Sequence, residues 1–193
     1  MIVKVPSREE AEEAVRVIIR WLGDSPDREG LQETPRRVLD SYKRSCDGYS
    51  FRASLDEFAL IPNDGNCSDM IIVKEIGFSS NCEHHLSPVI GKAHVSYVPR
   101  DSLMGIGSII KVVDGFARRL QLQERLATQI ALFLEKVLNP LGVAVLLEAE
   151  HLCVSCYRHT TGEGGLRVQT SHMLGVFKEN DKLCNELFLR LKL

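Results

Sequence analysis

No apolar run in this chain reaches the length of about 18 residues that a membrane-spanning helix needs, and the opening MIVKVPSREEAEEA turns acidic where a secretory signal would turn apolar. Nor does one sign of charge dominate. Lys and Arg number 24 against 26 Asp and Glu, for a formal net charge of −2, so no global basic field points to nucleic acid or to an anionic membrane. Any polyanion must be held locally. Six cysteines in 193 residues are too few for a disulfide scaffold, and reduced thiols then serve as core residues or metal ligands. Internal repeats and low-complexity segments are missing, and so is a long amino-terminal extension, so no regulatory segment is expected. These absences lead us to expect a soluble, cytoplasmic protein. What is present, 44% apolar residues, fills one core better than two.

Ser7 and Glu10 form a capping-box pattern ahead of Ala11, Ala14, Val15, Ile18, Ile19 and Leu22 at helical spacing, closed by Gly23. Thr34 is placed to cap a second helix, with Pro35 in its first position and Val38, Leu39 and Tyr42 as its apolar stripe. Residues 45–69 read as a loop. MIIVKEI (70–76) and KAHVSYV (92–98) are short, β-branched and bounded by turn residues or Pro99, which predicts strands. Two helical stretches come next, residues 105–119 and ERLATQIALFLEKVL, and then two more strands, VAVLLEAE (143–150) and LRVQTSHML (166–174). The order β-β-α-α-β-β predicts an α+β fold: a four-stranded antiparallel sheet with both middle helices on one face. Such a sheet has two open edges, which pairing with other copies would protect.

The densest group of reactive side chains is Ser80, Cys82, Glu83, His84 and His85, just past the first strand. Cys82 and His85 have the C-x-x-H spacing that brings a thiolate and an imidazole to one side of a turn, as zinc needs. A second group, His151, Cys153 and Cys156, lies past the end of another strand. Two site types are compatible with these residues. Cys82, His85, Cys153 and Cys156 make a closed, structural zinc site. Alternatively Cys82, His85 and Cys153 bind the metal and leave a position open to water, with His84 and His151 free to move protons. Strand alternation, carried past His151, puts His151 and Cys153 on one face. Gln123 and Glu124 open the second middle helix. Glu124 is favoured there by the helix dipole alone, but a carboxylate in a pocket also matches the N1–H and 2-amino group of guanine.

FSSNCEHHLSPVIGKAHVSYVP, ARRLQLQERLATQIA, EHLCV and HMLGVF, in this order, with EGLQETPRRVLDSY ahead of them, resemble the GTP cyclohydrolase I family over residues 28–180. The resemblance implies the T-fold, a β-β-α-α-β-β unit assembling into pentameric barrels stacked as a homodecamer, with sites between subunits. It implies an amino-terminal segment 1–69 of helices and loop and a catalytic domain over 70–193, compact as one unit. It implies conversion of GTP and water to formate and 7,8-dihydroneopterin triphosphate, opening tetrahydrofolate and pterin synthesis. By matching positions, Cys82, His85 and Cys153 bind Zn2+, His84 and His151 act in acid-base steps, Gln123 and Glu124 hold the guanine, and Ser80 lies near the reacting ring.

This chain departs from the family pattern at the triphosphate cradle. The usual Gly-x-Ser-Lys-x-x-Arg is Gly105, Ile106, Gly107, Ser108, Ile109, Ile110 and Lys111, so Ser108 stands for Lys and Lys111 for Arg. After Cys153 the usual Arg is Tyr157, or has slipped to Arg158, and the next segment is about two residues longer than usual. Lys111 and Arg158, with Arg167, either rebuild the cradle, or the enzyme acts on a purine with fewer phosphates. A non-catalytic pterin- or purine-binding zinc protein is the third alternative.

Overall fold

The computed structural model describes residues 5–51, 58–158 and 166–192, with the side chains of residues 157 and 158 excepted. The chain forms two compact units, one ending at Cys46 and one beginning at Asp47. In the first unit, α1 (Arg8–Trp21) starts with both halves of the expected capping box: the Glu10 N–H donates to Ser7 Oγ at 3.2 Å, and the Ser7 N–H donates to Glu10 Oε2 at 2.7 Å. The second helix, α2 (Thr34–Ser45), starts one residue earlier than expected. Glu33 is the cap, it makes no side-chain capping bond, and Thr34 is already helical. Arg8 and Asp40 tie the two helices at 2.9 Å.

The second unit is built on a five-stranded sheet in the order β5-β2-β3-β6-β7. β2 (Ile71–Cys82), β3 (Pro88–Val98), β6 (Gly142–His151) and β7 (Arg167–Gly175) are the four expected strands, each antiparallel to its neighbour. The fifth, β5 (Leu120–Gln121), has no counterpart among the expected elements: it pairs in parallel with Asn81 and Cys82 at the end of β2. Two residues give no readable alternation, so nothing local marks them as a strand. The 45–69 segment is likewise more than a loop. A 3₁₀ turn spans Asp47–Ser50, and β1 (Leu60–Pro62) pairs with β4 (Ser102–Met104). Phe51 and Phe58 pack edge-on against Phe116 and Phe133, with centroids 5.2–6.4 Å apart.

As expected, α3 (Ile106–Ala117) and α4 (Gln123–Leu138) cover one face of the sheet. Ile109, Val112, Val113, Leu126, Ile130 and Leu134 bury themselves against Phe78, Val95, Val145 and Leu147. The other face carries a smaller core, Met70, Val98, Ala144 and Leu146, closed by Phe177 of α6 (Val176–Glu179) and by Leu187 and Leu191 of α7 (Asp181–Leu191). Fully burying one such side chain contributes about 1.5–3 kcal/mol, so the two-sided covering, rather than local propensity, stabilises the sheet. No helix of the described residues is long and apolar enough to cross a membrane.

Candidate active site

The topology decides where the reactive residues meet. β2 and β6 both run antiparallel to β3 between them, so their carboxyl ends lie at the same end of the sheet. Ser80 and His151 both pair with Val89 of β3, from opposite sides, which sets their backbones about 10 Å apart. β5 runs beside the end of β2 and leads through Leu122 into α4, so Gln123 and Glu124 arrive at this end too.

Past β2 the chain reverses within a tight turn. The N–H groups of His85 and Leu86 donate to the Cys82 carbonyl at 3.3 and 2.9 Å, and the Cys82 N–H donates to Ser87 O at 2.8 Å. Leu86 sits at φ 55°, a left-handed conformation that costs a branched residue about 1–2 kcal/mol. This strain lies beside the candidate ligands, and the reversal brings both imidazoles back to the thiol. Cys82 Sγ is 3.6 Å from His85 Nδ1 and 4.0 Å from His84 Nδ1. Both rings are exposed, and Cys82 is 6% exposed.

The third thiol arrives differently from the expectation. The β6 strand stops at His151, and the chain turns helical at once in α5 (Leu152–Arg158), so strand alternation does not carry to Cys153. The first turn of α5 delivers its sulfur instead. The ligand atoms of Cys82, His85 and Cys153 all lie within 4.8 Å of one another. Two sulfurs on one zinc, each at about 2.3 Å, can stand no more than about 4.6 Å apart, so the set is close to a binding geometry without rearrangement. Two thiols and an imidazole are also the donor chemistry zinc prefers. Burial, then the hydrogen bond and charge of Cys82, push the Cys153 thiol above its usual pKa. Cys156 is exposed and does not belong to this group.

The proton-handling residues are held in unlike settings. His84 lines an open cleft of about 590 Å³ with Tyr49, Arg119, Gln121 and Arg125. Glu83, beside it, pairs with Arg125 of α4, joining two motifs 42 residues apart that no spacing rule links. His151 is half-buried and shares a small pocket with Ser80, Gln121 and Gln123. Burial pushes the His151 imidazole below its usual pKa, and the nearby Glu124 carboxylate opposes this. Ser80 is 4% exposed and donates to Arg119 O at 3.4 Å. Glu124 is exposed, and its carboxylate has no hydrogen-bond or ion-pair partner among the described residues. Gln123 is the opposite, 5% exposed, with its NH2 group and its oxygen both engaged within the chain.

Of the residues expected at a phosphate cradle, Ser108, Lys111 and Arg167 do not gather with this group. Ser108 is buried at 7% exposure, and its hydroxyl accepts the Ala59 N–H at 3.0 Å, so it anchors β1 rather than facing a ligand. Ser108→Ala is expected to cost about 1 kcal/mol in urea unfolding and to leave nucleotide affinity unchanged. A change in affinity without a change in stability would contradict this. Lys111 is exposed on α3 and has no ion pair among the described residues. It lines a cleft of about 470 Å³ with Asp47, Ser50, Asp114 and Arg118. Arg167 is engaged by Glu148 at 2.9 Å. The side chain of Arg158 lies outside the described residues, as does most of the longer segment after it.

The model of the family described as GTP cyclohydrolase I matches residues 11–192. Proteins called GTP cyclohydrolase 1 from Brucella canis, Brucella suis and Brucella abortus are each 45% identical over 178 residues, covering 92% of this chain and 83% of the relative. The crystal structure of an archaeosine synthase QueF-Like in the apo form aligns with a TM-score of 0.46 at 22% identity, over 55% of this chain and 93% of that chain. Matched along almost its whole length, and with a β-β-α-α-β-β core that gathers a Cys-His-Cys group at one end of its sheet, this chain belongs to the GTP cyclohydrolase I family and has its T-fold.

Proposed function

We propose that this chain is a zinc-dependent GTP cyclohydrolase I, which opens the guanine imidazole ring at C8, releases formate and yields 7,8-dihydroneopterin triphosphate. The observation that carries the reading is the convergence of Cys82, His85 and Cys153, within 4.8 Å of one another, at the sheet end that also holds His151 and Glu124. Zinc held by these three residues supplies Lewis-acid activation of a water molecule near neutral pH.

The remaining work falls to the chain's own side chains. Glu124, with its carboxylate unspent inside the chain, accepts the N1–H and 2-amino group of guanine and so aims the imidazole half of the base at the sheet end. Ser80 stands beside the reacting ring. His84 or His151 gives the proton to the ring nitrogen that makes C8 electrophilic, and the two move protons again as formate leaves. The ribose then opens, rearranges and closes onto the freed amine, steps that need proton transfers alone. Lys111, exposed, unpaired among the described residues and apart from this group in its own chain, meets phosphate as a point charge in a site completed by a neighbouring copy, together with Arg158. The outer edge of β7 carries no partner among the described residues, and β2 is covered by β5 only at Asn81 and Cys82. Edge pairing between copies closes both, which supports a homo-oligomeric barrel. A decamer of two pentamers, in the cytoplasm, is the assembly that the family resemblance implies.

Incubation of the metal-loaded protein with GTP tests the reading, with formate and a fluorescent pterin after oxidation as the products. GTP, GDP, GMP and guanosine compared at two salt concentrations then test the cradle. With Lys111 in place of a guanidinium fork, GTP remains preferred but its apparent affinity falls steeply with salt. Lys111→Ala raises KM for GTP by about tenfold, the scale of one charge-assisted contact, and leaves activity on guanosine unaltered. Equal rates on all four substrates would shift the reading to a cyclohydrolase of a less phosphorylated purine, which the burial of Ser108 at the usual Lys position favours.

A further inference from the structure

Gln123 is expected from the sequence to share the guanine with Glu124, but the NH2 group of its amide is spent on two main-chain carbonyls and its oxygen already faces His151. Gln123 opens α4 and is 5% exposed. Its Nε2 lies 3.2 Å from the Leu147 carbonyl of β6 and 2.9 Å from the Val168 carbonyl of β7. Main-chain carbonyl oxygens only accept, so the atom facing both must be the NH2 group; the flipped amide would set an oxygen against two oxygens. The orientation of the amide is therefore determined, and Oε1 faces His151 Nε2 at 2.8 Å. An amide oxygen cannot donate. His151 Nε2 must carry the hydrogen, which leaves Nδ1 as the ring atom with an open lone pair, and Nδ1 has no hydrogen-bond partner among the described residues.

We propose that Gln123 is a positioning residue: it holds His151 in the Nε2–H tautomer, so that Nδ1 is the ring nitrogen that meets the reacting purine, and it makes no contact with the base itself. The assignment rests on the hydrolytic reading given above. It divides the first turn of α4 into two tasks. Glu124 faces outward with a free carboxylate and reads the ligand, whereas Gln123 faces inward and orders the proton-transfer group. The logic is that of a ligating histidine whose far nitrogen is fixed by an outer partner. Both strands take part, because β6 and β7 each supply one carbonyl that aligns the amide.

Two variants separate this role from base recognition. Gln123→Leu keeps the volume and removes the acceptor, and Gln123→Glu, with the buried oxygen that faces the two carbonyls protonated, keeps an acceptor oxygen toward His151. Two-bond proton–nitrogen correlation spectra of histidine-labelled protein, with His151→Asn identifying the signal, report the tautomer without any turnover. The Nε2–H pattern is expected in the parent and in Gln123→Glu, and a mixed or Nδ1–H pattern in Gln123→Leu. With GTP, kcat of Gln123→Leu should fall about 10–100-fold, the range for partners of this kind, and Gln123→Glu should recover part of it. KM should move by less than about threefold, since uniform binding is untouched. An unchanged tautomer in Gln123→Leu, or a loss carried by KM alone, would overturn the proposal and return Gln123 to the guanine. A parent protein that releases no formate from GTP would overturn the hydrolytic reading instead, and the spectra would still decide what Gln123 does to His151.

Discussion

Cys153→Ala is expected to empty the metal centre and to reduce turnover by more than about a hundredfold, because even outer partners of metal ligands cost about 10–100-fold in affinity when removed. Cys153 is 8% exposed, and its sulfur belongs to the group within 4.8 Å. Without it, one thiolate and one imidazole remain, and His85 stands at the surface, where water competes for the metal. Cys156→Ala serves as the internal control. That residue shares α5 with Cys153 but is exposed and outside the ligand group, so the variant should keep its metal. Metal content per chain, together with the absorption of a cobalt-substituted protein, reads out both the stoichiometry and the number of thiolates. Two thiolates and an exchangeable water are expected. Three thiolates in the parent, or metal lost from the Cys156 variant, would make the centre a closed structural one and remove the basis for hydrolysis.

Wherever a residue's role rests on periodicity or on a short turn, the chain announces it. The β-branched run KAHVSYV, the apolar run in VAVLLEAE, the stripe through ERLATQIALFLEKVL and the C-x-x-H turn all reappear in β3, β6, α4 and the Cys82–His85 contact. The strand–helix order also suffices to bring His151 to the end that holds Cys82, since antiparallel pairing across β3 requires it. Contacts made over long separations carry no such mark. The Gln123 amide reaches carbonyls 24 and 45 residues away, so its inward role is invisible beside an outward-facing Glu124. Ser108 shows only a missing charge, and its bond to Ala59, 49 residues away, is hidden for the same reason. Cys153 reaches the predicted group by a different local route. Nothing in LCVSCYR breaks a strand, and the helix there is set by packing of α5 against β3 and β6, which the local pattern does not encode.

Glu124→Gln is expected to lower kcat/KM for GTP at least about tenfold, and the size comes from what the substitution does at the base. A carboxylate offers two acceptors to the N1–H and 2-amino group of guanine. The amide keeps one acceptor and sets a donor against a donor, which costs about 1–3 kcal/mol and more where a charge was involved. The exposed position of Glu124 in the first turn of α4 supplies a competing explanation, since a carboxylate there also stabilises the helix by about 0.3–1 kcal/mol. The two effects separate on substrate choice. Helix stability is indifferent to the ligand, so a purely dipolar role would lower the unfolding midpoint slightly and reduce turnover of every nucleotide alike. A recognition role singles out the 2-amino group: inosine triphosphate, which lacks it, already forgoes that contact, so Glu124→Gln should narrow the preference for GTP over inosine triphosphate by about tenfold. The ratio of kcat/KM for the two nucleotides, measured in the parent and in the variant, is therefore the decisive quantity. If that ratio stays constant while both rates fall, the carboxylate supports the helix and the guanine is read elsewhere.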